Sequence, residues 1–317
     1  MTALGIDLGG TKISFAVFSQ QGDIYYKQTR ALEKRSGKEA ADLIIEETQK
    51  IIAVHQSIQS IGIAIPGIYH QSTGTVWAPN IKGWEDYPLL QQMQESIDIP
   101  ITIDSDRACC ILGESWMGNA KGCNHAIYLA VGTGIGAGIL IEGKILRGSN
   151  DIAGAIGWMA LQPPFENKYI SCGCFEYHAS GEGIAKVARE VLSEAVDYNG
   201  ILKQKPVGDV TAHDVFAAYE EKDPVAKKVF RTCIRFWGMA VANLVSLFNP
   251  EKIILGGGVF GPAVQFIPEI IEEAKKWSQP ISIKKVSIEL SGLGTDASLY
   301  GAGLLAMQGI KDNQVNK

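Results

Sequence analysis

The sequence predicts an α/β protein of two lobes, with mixed sheets flanked by helices and a cleft between the lobes. Apolar strand-like runs alternate along the chain with segments of helical periodicity. Two glycine-rich turns each join a pair of strand-like runs, which is typical of a hairpin. The two halves are weak repeats, since each opens with a strand, a Gly-Thr turn and a second strand. A duplicated two-lobed fold would explain the repeat.

The individual elements follow from the spacing of apolar residues. After the first hairpin, the predicted strands are Ile61–Ile65, Ile99–Ile103, Ala126–Val131, Ile253–Leu255 and Val286–Leu290. The predicted helices are Lys38–Val54, Ala108–Trp116, Gly183–Ala195, Pro224–Phe248, Pro262–Trp277 and Asp296–Gln308. We expect residues 1–117 plus 297–317 to form a small N-terminal lobe, to which the last helix returns. Residues 118–296 are expected to form the larger C-terminal lobe.

Composition excludes several classes of function. The 317 residues carry a net charge of −5 and no long basic run, which argues against a nucleic-acid partner. No apolar run reaches the length of a membrane span, and the first strand begins too early for a signal peptide. Six cysteines are scattered through a chain of a size that needs no disulfides. We therefore expect a cytoplasmic protein without membrane contact.

The first glycine-rich turn, Asp7–Lys12, is a candidate phosphate site. Gly9 and Gly10 allow the backbone to approach an anion closely, and Thr11 and Lys12 add a hydroxyl and a positive charge. Asp7 could hold a magnesium ion through water. The alternative is a plain hairpin turn, for which Gly-Gly is a common pair.

Two further turns strengthen the phosphate interpretation. Gly132, Thr133 and Gly134 repeat the Gly-Thr chemistry after a second buried strand. Gly256, Gly257 and Gly258 follow a third strand and open a helical pattern, where backbone N–H groups can contact a nucleoside or an anion. A flexible loop is the alternative for this last turn. Between the turns, Asp104-Ser105-Asp106 forms an acidic strand end that could carry a catalytic base.

Together these motifs resemble the ROK family of sugar kinases, within the actin-like and hexokinase-like ATPase superfamily. The resemblance covers nearly the whole chain. The matching segments are Gly5–Lys12, Ile63–Gly67, Pro79–Trp84, Gly132–Gly136, Gly256–Gly258 and Gly294–Ala306. It implies a two-lobed actin-like/ribonuclease H-like ATPase fold, ATP and Mg²⁺ as cofactors, and a homodimer. The implied activity is glucokinase-like transfer of the γ-phosphate to a hexose hydroxyl, the 6-OH above all.

The resemblance also implies roles for individual residues. Asp106 is the implied catalytic base; a helix N-cap is the local alternative, and both roles can hold together. The implied sugar contacts are Gly67, Asn80, Ser105, Asp106 and Glu176. For the homodimer, the apolar segment Phe236–Ala240 is a candidate surface, although it could equally be core.

The chain departs from the family pattern where many members bind zinc. Those members carry Gly-Glu-Ile-Gly-His and then a cysteine-rich stretch, whereas this chain reads Gly154-Ala155-Ile156-Gly157-Trp158 and then Ser171-Cys172-Gly173-Cys174-Phe175-Glu176. Structural zinc needs four ligands, so the two thiolates and His178 are too few and we expect no zinc. Trp158 is a candidate to stack on a sugar ring, or else it fills the core.

A second class of function stays open. Some ROK proteins are repressors with an N-terminal DNA-binding helix-turn-helix, for which the early first strand leaves no space. The alternative to a kinase is therefore a non-catalytic sugar sensor that acts through a partner protein.

Overall fold

The computed structural model describes residues 2–315, which form alternating strands and helices. The strands are β1 (Thr2–Leu8), β2 (Lys12–Ser19), β3 (Ile24–Ala31), β4 (Ile58–Ile65), β5 (Ile68–His70), β6 (Thr75–Trp77), β7 (Ile101–Ser105), β8 (Ala126–Val131), β9 (Ile135–Ile141), β10 (Lys144–Ile145), β11 (Lys252–Gly256) and β12 (Ser287–Leu290). The helices are α1 (Gly37–Val54), α2 (Leu89–Gln94), α3 (Asp106–Met117), α4 (Cys174–Ala179), α5 (Gly181–Glu194), α6 (Ala212–Glu220), α7 (Pro224–Phe248), α8 (Ile267–Trp277) and α9 (Ala297–Val315).

The first sheet has the strand order β3-β2-β1-β4-β7. β1, β2 and β3 pair antiparallel, whereas β4 runs parallel to both β1 and β7. β3 was not predicted because its residues Ile24–Ala31 are largely polar, as suits an exposed edge strand. The parallel part brings the carboxyl ends of β1, β4 and β7 to one edge of the sheet, where Asp7 and Asp106 lie.

Side-chain alternation along β1 explains how helices cover both faces of this sheet. Leu4, Ile6 and Leu8 point to one face, where they belong to the same buried cluster as Ala40, Ala41 and Ile44 of α1. Ala3 points to the other face and packs with Leu299, Ala306 and Met307 of α9. On that face, a Cβ at Gly62 would collide with the carbonyl oxygen of Ala302. The small side chains therefore let α9 lie close against the strands.

The second sheet has the strand order β10-β9-β8-β11-β12. β9 and β10 pair antiparallel, and β11 and β12 pair parallel. The sequence therefore predicted the α/β class with mixed sheets and flanking helices correctly. Of the helices in the described range, none is long and apolar enough to cross a membrane.

Helix α7 is the long buried helix of the second half. Asp223 caps its start by accepting hydrogen bonds from Val225 N at 2.8 Å and Ala226 N at 3.1 Å. Phe236, Trp237 and Ala240 are fully buried, and Met239 is 9% exposed. The suggestion that Phe236–Ala240 offers a dimer surface is therefore wrong, because this segment is core within the protomer.

The chain divides into two compact units. The first unit contains residues up to 126, residues 138–153 and residues from 291 onward; the second contains residues 127–137 and 154–290. Compared with the predicted lobes, residues 118–126, 138–153 and 291–296 fall in the first unit. One reason is that Arg147 pairs with Asp104 of β7, which ties the segment after β10 to the first sheet. Residues 1, 316 and 317 of the predicted N-terminal lobe lie outside the described range.

Candidate active site

The first glycine-rich turn closes the β1–β2 hairpin, as predicted. Gly9 N donates to Lys12 O at 2.9 Å, while Gly10, Thr11 and Lys12 are exposed. Asp7 lies just before the turn, and its Oδ1 accepts a hydrogen bond from Ser298 Oγ at 2.7 Å. Burial raises the pKa of Asp7, although Ser298 and Lys12 oppose the shift. The turn thus presents backbone and a hydroxyl to solvent beside a half-buried carboxylate.

Asp106 is the first residue of α3, directly after β7. Its Oδ1 accepts a hydrogen bond from Arg107 N at 2.7 Å. Burial raises the pKa of Asp106 from 3.8 to about 6, with a smaller contribution from the Asp7 carboxylate, and Arg107 opposes the shift. A carboxylate with this pKa is a stronger base than an ordinary aspartate and is still mostly ionised at neutral pH.

The helix cap next to Asp106 is not the one considered from the sequence. Ser105 occupies the N-cap position of α3, and its Oγ accepts from Ala108 N at 3.3 Å. The capping alternative for Asp106 is therefore wrong: the serine beside it satisfies the free amide of the helix start. The cap does not use the Asp106 carboxylate, which accepts the hydrogen bond from Arg107 N.

The Pro79–Trp84 loop lies beside the first turn. The Cβ of Asn80 is 3.3 Å from the position that a Cβ on Gly10 would take, so the predicted sugar contact Asn80 and the predicted phosphate turn are neighbours. Trp84 anchors this loop, because it is fully buried and its Nε1 donates to Gly37 O at 2.9 Å. Gly67 lies between β4 and β5, and its N–H donates to Ile65 O at 2.9 Å.

An ion pair near Asp106 was missed from the sequence. Asp104 is 4% exposed, and it pairs with the guanidinium of Arg147. Burial raises the pKa of Asp104, and Arg147 opposes that shift. Asp151 nearby accepts a hydrogen bond from Gln71 N at 3.1 Å. Arg147 lies two residues after β10, and nothing in the local sequence pointed to its pairing with Asp104.

In the second unit, a cavity of about 440 Å³ brings separate motifs together. Gly132 and Thr133 of the second turn line it together with Gly258, more than a hundred residues further along the chain. Gly134 lies instead against Glu176. Gly256 and Gly257 pack against β8: a Cβ on Gly256 would meet the Tyr128 hydroxyl, and Gly257 has a φ of +90° that favours glycine.

Most of the cavity wall was not predicted. The other lining residues belong to α5, to α6 with its N-cap Thr211, and to the segment before α8: Gly181, Glu182, Ala185, Arg189, Thr211, Ala212, His213, Phe216, Val259 and Pro262. Thr211 and Asp214 form a capping box at the start of α6. This Thr-x-x-Asp spacing is a recognisable helix-start signal, so the sequence did contain a pointer to this wall.

Glu176 connects α4 to the second turn. Its Oε2 accepts a hydrogen bond from Ile135 N at 2.6 Å. Burial raises the pKa of Glu176, and the Ile135 N–H opposes the shift. Trp158 is 58% exposed. The alternative that Trp158 fills the core is therefore wrong, and its indole is open to a ligand.

His178, the possible third zinc ligand, is otherwise engaged. His178 is 7% exposed, its Nε2 lies 3.0 Å from the Tyr169 hydroxyl, and its ring stacks on Phe236. Burial lowers the pKa of His178 to about 4. Within residues 2–315, no three His, Cys, Asp or Glu side chains are placed to hold a metal ion together. These residues do not fit a structural zinc site.

Comparisons with known proteins identify the family of this chain. The glucokinase of Halalkalibacterium halodurans is 32% identical over 99% of this chain and 97% of its own length. The xylose repressor of Caldicellulosiruptor bescii is 30% identical over 94% of this chain and 76% of its own. A crystal structure of a ROK family glucokinase from Streptomyces griseus, in complex with glucose and AMPPNP, superposes with a TM-score of 0.76. It is 27% identical and covers 97% of this chain and all of its own.

The fold is accordingly that of the actin-like ATPases. The sequence model of the ROK family matches residues 3–309, which is nearly the entire chain. This chain belongs to the ROK family.

Proposed function

We propose that the protein is an ATP- and magnesium-dependent sugar kinase that phosphorylates a hydroxyl of a hexose or hexose derivative, the 6-OH above all. The observation that carries the proposal is the cavity of about 440 Å³ in the second unit. Its volume suits a nucleotide. Phe216, Val259 and Pro262 offer apolar surface to a base, whereas Thr133 and Gly258 offer polar groups to ribose and phosphates.

Asp106 is the proposed catalytic base. Its raised pKa supports this role, because a base with a pKa near the working pH accepts a proton most effectively. In this mechanism the carboxylate takes the proton of the sugar hydroxyl as that oxygen attacks the γ-phosphorus of ATP. The bond from the γ-phosphorus to the bridging oxygen breaks, and ADP leaves. Asn80, Gly67, Ser105 and Glu176 are the proposed sugar contacts.

Asp7 fits the proposed magnesium ion. Mg²⁺ usually binds proteins through one or two carboxylates and keeps several waters. Burial raises the pKa of Asp7, which is the sign of a carboxylate that a cation would stabilise. The ion would neutralise charge on the phosphates. Thr11 and Lys12 of the exposed turn are proposed to act on the same phosphates.

The proposed substrate is a sugar altered at or near C1 or C2, such as an amino sugar, a 2-epimer or a glycoside. Ala155 stands where many family members have a carboxylate, and Trp158 stands where they have a histidine. An exposed indole favours an apolar or substituted ring edge over a bare hydroxyl. The homodimer and the cytoplasmic location are further parts of the proposal, the latter supported by the cysteine usage.

One experiment tests the proposal against its alternative. ADP production is measured in a coupled assay with ATP, Mg²⁺ and a panel of hexoses, amino sugars and disaccharides. We expect at least one sugar to be phosphorylated by the wild type, and that activity to be lost in Asp106→Asn. The similarity to a xylose repressor supports the alternative, a sugar sensor that acts through a partner. Sugar binding without any phosphoryl transfer would favour the sensor and refute the kinase proposal.

A further inference from the structure

The second glycine-rich turn, Gly132–Gly134, is held on one side by the start of α5 and on the other by Glu176 within α4. On one side, the carbonyl oxygens of Gly132 and Thr133 accept hydrogen bonds from Gly181 N at 2.8 Å and Glu182 N at 3.3 Å. On the other side, Ile135 N donates to Glu176 Oε2 at 2.6 Å. The turn therefore depends on the position of α4 as well as on its own sequence.

The Glu176 carboxylate is packed directly against the turn. A Cβ on Gly134 would lie 2.7 Å from Oε2 and 3.4 Å from Oε1. Gly157 faces the same carboxylate, since its added Cβ would lie 3.0 Å from Glu176 Oε2 and 3.0 Å from Ile135 O. Glu176 thus fills a slot whose walls are two glycines, and a side chain at either position would displace it.

The two oxygens of Glu176 have different surroundings. Oε2 holds the Ile135 N–H, whereas for Oε1 the described residues provide no hydrogen-bond partner. The carboxyl is nevertheless buried enough for its pKa to be raised. The side chain is only half-buried, so a ligand hydroxyl can reach Oε1 and would gain a hydrogen bond to a charged group.

We infer that Glu176 positions the second glycine-rich turn through Ile135 N–H while its other oxygen receives the sugar, so that sugar binding and nucleotide binding are coupled. The sugar half of this inference rests on the proposed function; the positioning half does not. Coupling of this kind is reciprocal: a sugar that tightens nucleotide binding is itself bound more tightly when nucleotide is present.

The test is the dissociation constant of AMPPNP with Mg²⁺, measured by calorimetry without sugar. Glu176→Gln keeps an oxygen that can accept from Ile135 N–H, so we expect its affinity to stay within about twofold of the wild type. Glu176→Ala removes the acceptor, and the affinity should fall about tenfold, as for loss of a single hydrogen bond. Glu194→Gln, on the exposed end of α5, is the matched control and should change nothing.

A second variant distinguishes loss of the contact from misfolding of Glu176→Ala. Gly134→Ala should displace the carboxylate without removing it, and should lower AMPPNP affinity to a similar extent. In the double variant the two losses should not add, because both act through one contact. Melting curves of all the variants report folding separately. Wild-type affinity in Glu176→Ala, or fully additive losses in the double variant, would overturn the positioning role.

The coupling is measured by repeating the AMPPNP titration at a saturating concentration of a sugar that the wild type phosphorylates. In the wild type, sugar should tighten AMPPNP binding by about fivefold or more, and in Glu176→Ala this effect should vanish. If the wild type phosphorylates a sugar but binds AMPPNP equally with and without it, the coupling is refuted while the kinase stands. If no sugar is phosphorylated and none alters the affinity for AMPPNP, the proposed function and the coupling both fail. The sugar-free titration still decides the positioning role.

Discussion

Replacing Asp106 by asparagine should abolish phosphoryl transfer and at the same time stabilise the protein. Burial raises the pKa of this carboxyl from 3.8 to about 6, so at neutral pH the folded protein holds an ionised group that it disfavours. One pKa unit corresponds to about 1.4 kcal/mol, which makes the cost at most about 3 kcal/mol above pH 6. As the pH falls from 6 towards 3.8, the folded state takes up the proton and the cost disappears.

Asparagine removes the charge and leaves the local structure in place. Its side-chain oxygen can still accept from Arg107 N, and Ser105 continues to cap α3. The free energy of unfolding at pH 7.5 should therefore rise by up to about 3 kcal/mol, and the melting temperature by about 5 °C. Near pH 4 the two proteins should differ much less, because the wild-type carboxyl is then protonated in the folded state.

The activity should change in the opposite direction. A general base contributes about 10²- to 10⁴-fold, so Asp106→Asn should retain less than about a tenth of the wild-type kcat. In the wild type, kcat/KM should fall as the pH drops below about 6, where the base becomes protonated. Denaturant unfolding and thermal melting at pH 7.5 and pH 4 measure the stability changes, and the coupled assay across pH measures kcat and kcat/KM. A variant that retains more than about a tenth of the wild-type kcat, or one that is less stable than the wild type at pH 7.5, would refute the reasoning.

Three further predictions concern the second unit. Burial lowers the pKa of His178 from 6.5 to about 4, so as the pH falls the unfolded state binds a proton before the folded state does. The free energy of unfolding should therefore fall by about 2 kcal/mol between pH 7.5 and pH 5. In urea unfolding, His178→Phe should make the free energy of unfolding depend less on pH. An unchanged pH dependence would contradict this role of His178. Purified protein should contain far less than one zinc per chain, and a chelator should leave its melting temperature unchanged; stoichiometric zinc would contradict the engagement of His178 with Tyr169 and Phe236. Glucose should be a mediocre substrate, and Trp158→Ala should reduce kcat/KM for the preferred substituted sugar more than for glucose. A tenfold preference of the wild type for glucose would overturn the argument from Ala155 and Trp158.

Local patterns were enough to predict the fold class and the two hairpin turns. A Gly-Thr turn between two apolar runs depends on a few neighbouring residues, so Gly9–Thr11 and Gly132–Gly134 could be recognised without any long-range information. The long helix Pro224–Phe248 was predicted with its observed bounds for the same reason. Proline in its first turn and the apolar spacing are both local features.

Tertiary structure decided the features that depend on residues far apart in the chain. The sequence could not tell whether Phe236–Ala240 was core or surface, because an apolar segment looks the same in either place until its neighbours are known. Nor could it show that Arg147 pairs with Asp104, or that Gly132 and Gly258 line one cavity. The contact between Glu176 and Ile135 N–H joins a helix to a turn some forty residues earlier. Such contacts arise only when separate elements pack, and that packing set the surroundings of the candidate site residues.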